Sequence, residues 1–200
     1  MEQIRSFIAI ELPDELKQLL ARLQAQLRAG KPAPVKWADP YGIHLTLKFL
    51  GNIDTGKISE ITSVMKETAR GTSPFRLEVR EPGAFPNLRR VQVIWVGLGG
   101  EVDSLGEFQQ RLESNLVPLG FPPESRAFKP HLTLARVRDR ASAEERSGLG
   151  QLIAGTGLGT NYVFRVDTIN LMKSQLTREG AIYSRISSAR LGKPLSSSGN

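Results

Sequence analysis

The tetrapeptide His44-Leu45-Thr46-Leu47 returns as His131-Leu132-Thr133-Leu134, and the two copies hold both histidines of the 200-residue chain. Histidine is the side chain whose ordinary pKa, about 6.5, lets it exchange a proton near neutrality. At ordinary residue frequencies, finding Leu-Thr-Leu after both histidines by chance is roughly a one in a million event. Read as a strand, each copy separates two chemistries. Side chains alternate across a strand, so histidine and threonine share one face while the two leucines share the other and can be buried under a helix. Thr46 and Thr133 then lie about 6 to 7 Å along the strand from their imidazoles, a spacing that suits one anionic group bonded by both. Two such faces across a cleft offer one base and one acid.

Lys and Arg number 27 against 20 Asp and Glu, giving a formal charge of +7; such a balance suits a polyanion, most simply nucleic acid. With no cysteine there is no disulfide frame, no thiol nucleophile and no Cys-based zinc site. Two histidines without cysteine make a metal centre a poor expectation, and no metal or other cofactor is expected. Ser174 has no base at hand for a serine hydrolase, both histidines being committed to the repeat. Gly155-Thr156-Gly157-Leu158-Gly159 lacks the GxGxxG spacing and follows a helix instead of opening one, so it reads as a loop. No run approaches a membrane span, and Met1-Glu2-Gln3-Ile4-Arg5 does not resemble a signal peptide. The expectation is a cytoplasmic monomer without an obligate protein partner.

Around the repeat, the chain reads as follows. Arg5 to Leu12 is a strand stopped by Pro13, and a helix from Asp14 carries Leu16, Leu19, Leu20, Leu23 and Leu27 to Gly30. A short strand at Val35 to Trp37 precedes the first motif strand, about Ile43 to Leu50, which Gly51-Asn52 ends. Asp54 or Thr55 caps a helix with Ile58, Ile61 and Met65 inward. Phe75 to Val79 is a half-buried strand, Glu81 to Arg90 a loop for its two prolines and glycine, and Val91 to Leu98 a strand. A helix over Val102 to Val117 buries Leu105, Phe108, Leu112 and Leu116. The second motif strand spans Phe128 to Val137; Ser142 and Glu145 are spaced as a capping box. Asn161 to Leu176 and Ala181 to Leu191 read as strands. The pattern is an α+β fold of two pseudo-symmetric lobes, each a mainly antiparallel β-sheet with helices on its outer face, around a central cleft. Residues 1–192 form one bilobal domain with one motif per lobe, and 193–200, rich in serine and glycine, form a disordered tail.

These strings resemble the two-histidine phosphoesterase superfamily, and more narrowly its LigT-like branch, the bacterial and archaeal RNA 2′,3′-cyclic phosphodiesterases. The resemblance rests on His44 to Gly51 (HLTLKFLG) and Arg126 to Arg136 (RAFKPHLTLAR). Flanking support comes from Arg5-Ser6-Phe7-Ile8-Ala9, from Arg90-Val91 with Trp95, and from Ser174-x-Leu176 with Gly180 and Tyr183. It implies metal-independent hydrolysis of an RNA 2′,3′-cyclic phosphate end, or of a cyclic nucleotide, to a 2′-phosphomonoester, and reversible 2′-5′ RNA ligation through the same cyclic phosphate. On this likeness one histidine activates water and the other serves the departing 3′ oxygen, and Thr46 and Thr133 hold the phosphate oxygens. We place His131 at the water and His44 at the 3′ oxygen, although the near symmetry of the motifs leaves their order open. Arg136 is expected to bind phosphate too, although strict alternation points it away from His131, so that role requires a bulge. Phe49, at the matching offset, reads as core. Phe7 and Tyr183 are candidates for stacking on a base, with packing the competing and commoner reading for each. Two other readings stand beside this one: a phosphodiesterase for small cyclic-phosphate nucleotide derivatives, and a non-catalytic module that binds RNA ends.

Overall fold

The computed structural model describes residues 2–30, 33–177 and 180–192; the expected tail at 193–200 lies outside them. Among the described residues nine strands and four α-helices follow one another: β1 (Gln3–Glu11), α1 (Asp14–Ala29), β2 (Val35–Trp37), β3 (His44–Asp54), α2 (Ile58–Arg70), β4 (Phe75–Phe85), β5 (Val93–Gly100), α3 (Val102–Leu116), β6 (His131–Val137), α4 (Ala143–Ala154), β7 (Val163–Val166), β8 (Thr168–Leu176) and β9 (Ala181–Arg190). They build two sheets, one ordered β3-β1-β8-β9 and the other β2-β6-β5-β4-β7, with antiparallel pairing throughout. Each sheet holds one motif strand, and the α+β, two-sheet architecture is the one the periodicity called for.

The lobes are not successive halves of the chain. The four-stranded sheet joins β1 and β3 to β8 and β9 from the other end, while β2 crosses to pair with β6. Asn161 to Leu176 is therefore two strands: β7 ends the five-stranded sheet, and after Asp167 the chain enters the other as β8. Two expected breaks are also absent. β4 runs through Pro82 and Gly83 to Phe85, absorbing them at a register shift against β5, and β3 continues past Gly51 to Asp54. Gly51 takes φ +71°, a conformation glycine adopts without steric cost.

The helices follow their apolar stripes. The five leucines of α1 and the Leu105, Phe108, Leu112, Leu116 row of α3 are buried, and Ser142 with Glu145 forms a complete capping box on α4. Leu45, Leu47, Leu132 and Leu134 meet these rows in one continuous core that runs under both sheets. The opposite face of each motif strand is thereby turned outward, and β3 and β6 lie against each other where the sheets meet.

Candidate active site

Along their first seven residues β3 and β6 have the same burial sequence: histidine and threonine half-buried, three residues of the core side buried, the residue five after histidine exposed, and the next buried. The cause is a bulge at the same place in each. Ala9 pairs with Thr46 and Ile8 with Lys48, leaving Leu47 extra; Trp95 pairs with Thr133 and Ile94 with Ala135, leaving Leu134 extra. An extra residue resets alternation, so Arg136 returns to the face of His131 and Thr133. Phe49 returns to the face of His44 and Thr46 in the same way. Phe49 is 60% exposed, which corrects the expectation that it is core. Arg136 faces Lys36 across β2 and β6; two cations placed opposite each other disfavour the pair, and an anion between them relieves that.

Both bulges are held from the core side by a buried glutamine. Gln24 of α1 donates Nε2–H to Leu134 O (3.0 Å) and Ala38 O (2.9 Å), and Gln109 of α3 donates to Leu47 O (3.2 Å). Each of these helices thus secures one motif strand. Neither glutamine was singled out by periodicity, although a polar residue inside a leucine stripe was the available sign.

The imidazoles are oriented alike. His44 Nδ1 lies 2.8 Å from Gly42 O and His131 Nδ1 lies 2.6 Å from Lys129 O, in each case the carbonyl two residues back. A carbonyl only accepts, so Nδ1 carries a hydrogen in both rings and Nε2 is left for proton exchange. Their surroundings differ. His44 stacks on Phe7 (centroids 4.6 Å, 26°) and meets the edge of Tyr183 (4.9 Å, 84°), while Phe85 stands edge-on to His131 (4.9 Å, 87°) and leans on Trp95. Gly42 makes the Tyr183 approach feasible, since a Cβ there would come within 3.3 Å of the tyrosine ring. Phe7 is 3% exposed with its ring face against His44. It is therefore the floor under an imidazole and not an open platform for a base, which corrects its candidacy; Tyr183, 36% exposed, keeps a free surface.

Burial lowers the pKa of His44, with the Gly42 bond and the charge of Glu11, its register partner on β1, opposing the shift. Trp95 lies beside Thr133, and its indole N–H is buried with no acceptor among the described residues. Trp95, Phe85 and Glu11 are site-face residues that motif spacing did not reveal, because strands far apart in sequence bring them in. Among the described residues no three His, Cys, Asp or Glu side chains cluster as a metal site would need, and no helix is long and apolar enough to cross a membrane. A hollow of about 530 Å³ follows the free edge of β3 past Lys48, Phe49 and Lys57, and its lining includes neither histidine.

The sequence model described as LigT like phosphoesterase matches this chain twice, over residues 10–95 and 97–183. Each match contains one motif. A protein of Methanothermobacter thermautotrophicus named RNA 2′,3′-cyclic phosphodiesterase is 33% identical over 94% of this chain and 100% of its own length. One of the same name from Aeropyrum pernix is 35% identical over 82% of this chain and 90% of its own. Among solved structures, TT0787 of Thermus thermophilus superposes with a TM-score of 0.76 at 25% identity, covering 95% of this chain and 99% of that one.

Proposed function

The chain belongs to the LigT-like phosphoesterase family, and from that premise we propose that it hydrolyses RNA 2′,3′-cyclic phosphate ends to 2′-phosphomonoesters with His44 and His131 as paired acid and base. The observation that carries this reading is the duplicated arrangement: same strand position, same Nδ1 bond, same threonine, same bulge. A structural histidine needs one satisfied hydrogen bond. It does not need a twin with a free Nε2 and a hydroxyl at the same offset.

A 2′,3′-cyclic phosphate is a strained diester, so hydrolysis asks for a base to take a proton from water and an acid for the departing 3′ oxygen. The reaction written this way calls for no metal ion. His131 Nε2 takes the proton of the attacking water; His44 Nε2–H gives one to the 3′ oxygen as the P–O3′ bond breaks. Thr46 and Thr133 donate hydroxyl hydrogens to the nonbridging oxygens, where charge accumulates in the pentacoordinate transition state. Arg136 adds a guanidinium fork on the His131 side. Burial makes protonated His44 costly in the free protein, and the bound phosphate anion restores the proton. With a 5′-hydroxyl attacking the cyclic phosphate in place of water and the 3′ oxygen again leaving, the same pair would join RNA ends through a 2′-5′ linkage, and the reverse of that step would cleave one.

The test is turnover of a nucleoside 2′,3′-cyclic phosphate and of a short RNA ending in one, both in EDTA. Wild type is expected to turn over both, and His44→Ala and His131→Ala each to lose at least about 10²-fold in rate while remaining folded, as removal of a general acid or base does. Near-normal activity in either variant defeats the pairing; loss of wild-type activity in EDTA defeats the metal-free scheme; tight binding of the cyclic end without turnover would make the protein a binding module.

A further inference from the structure

Arg185 stands on β9 opposite Met172, which is itself opposite Phe7, on the histidine face of the four-stranded sheet. Its Nε–H donates to Glu11 Oε2 at 2.7 Å. Asn170 Nδ2–H donates to the same oxygen at 2.7 Å, and Ser188 Oγ–H donates to Asn170 Oδ1 at 2.7 Å. Ser188, Asn170, Glu11 and Arg185 thus form one line across three strands that ends on a guanidinium. Asn170 is 3% exposed, and a buried amide is costly unless bonded, so the carboxylate of Glu11 is fixed from beneath. The Arg185 side chain, by contrast, is 57% exposed. An ion pair that open contributes little stability, so folding alone does not account for a line of four polar residues aimed at it.

Position says what the guanidinium faces. Arg185 is rooted on β9, three strands from β3, but the Glu11 it bonds is the register partner of His44, so its guanidinium ends one strand behind the imidazole, on the side away from the five-stranded sheet. The reacting phosphorus has to lie on the other side, toward β6, to be reached by both histidines. The anion Arg185 meets is therefore a neighbouring one. At the offset where β6 supplies Arg136, β3 carries Phe49, and the four-stranded sheet brings its guanidinium from β9 instead. We propose that Arg185, held by Glu11, binds the phosphodiester on the 5′ side of the terminal nucleotide and so biases the site toward RNA ends over mononucleotides. The proposal rests on the reading of an RNA end as substrate.

The experiment compares a nucleoside 2′,3′-cyclic phosphate with a dinucleotide ending in the same cyclic phosphate, by kcat/KM, in wild type, Arg185→Gln and Arg185→Lys. Calorimetric Kd values for the two corresponding 2′-phosphate products accompany the kinetics. Wild type is expected to prefer the dinucleotide, and Arg185→Gln to cut the ratio of the two kcat/KM values about tenfold or more, through KM. The slope of log(kcat/KM) against log salt for the dinucleotide should fall by about one. Arg185→Lys should keep part of the preference, since the charge remains and the fork is lost. A ratio unchanged by Arg185→Gln while wild type turns over both substrates overturns this inference and leaves the reaction standing. If wild type turns over neither, the reaction reading fails, and the product affinities decide this inference alone: a selective loss for the dinucleotide in Arg185→Gln supports it, and equal losses or none overturn it.

Discussion

An imidazole that is to carry a proton to a substrate oxygen has to be neither so open that water fixes its titration nor so buried that it never charges. His44 sits between these limits, with Phe7 beneath, Tyr183 at its edge and Glu11 across the strand pair. Desolvation lowers its pKa, and the Gly42 carbonyl and Glu11 raise it only in part. The unfolded imidazole titrates near 6.5. Between that value and the lower folded one the unfolded chain binds more protons, so stability rises with pH there. The contribution is complete above about pH 6.5 and is lost as pH falls toward the folded value. Denaturant unfolding at pH 7.5 and pH 5 should therefore show a smaller acid loss for His44→Gln than for wild type. The same shift bears on rate: with His44 as acid, kcat/KM should fall as pH rises through its free-enzyme pKa, and the corresponding limb of kcat should lie at higher pH, because bound phosphate favours the charged ring. Identical acid losses in the two proteins, or limbs that coincide, would mean that burial does not govern this histidine.

At the scale of elements, what places Arg136 is a bulge, and what holds the bulge is Gln24. Leucine in place of Gln24 keeps the apolar packing of α1 but cannot donate to Leu134 O and Ala38 O. Leaving buried carbonyls without that donor costs about 1–3 kcal/mol, measurable by denaturant unfolding. The functional expectation is sharper: Gln24→Leu should lower kcat/KM at least about tenfold where the protein is still folded, and Arg136→Ala should cost much less in that background than alone, since misaligned and absent guanidinia are nearly equivalent. Full additivity would show that Gln24 acts on stability only. The helices, the capping box at Ser142 and the two motif strands were legible because their signals are local: a 3.6-residue stripe, a three-residue cap spacing, a repeated tetrapeptide. The bulges were not, because a bulge is a relation between two strands. Arg136 could be reached only conditionally and Phe49 was misplaced in the core for that reason. The extents of β3 and β4 were cut short where Gly51, Pro82 and Gly83 read as breakers but are tolerated at register shifts.

For the whole molecule, duplication in sequence does not become two independent bodies. The chain passes between sheets four times, into β2, from β2 to β3, from β3 to β4 and at Asp167, and the leucines of both motifs enter one core. Lys48 adds a polar tie: buried beneath β3, it pairs with Glu113 of α3 at 3.1 Å and approaches Glu124 at 3.8 Å, holding the segment that leads to the second motif against the strand of the first. The relative placement of His44 and His131 thus depends on packing shared by both lobes, and their unfolding should be a single event. Both tryptophans, Trp37 and Trp95, lie in the five-stranded sheet, so tryptophan fluorescence follows one lobe, while far-ultraviolet circular dichroism follows both. Leu45 belongs to the other sheet and is fully buried; Leu45→Ala should cost about 2–5 kcal/mol. If the core is one cooperative unit, that loss made in the four-stranded sheet shifts the fluorescence midpoint as far as the dichroism midpoint. A fluorescence transition left in place while dichroism shifts would show that the lobes unfold separately, and that the alignment of the two imidazoles depends on the interface alone.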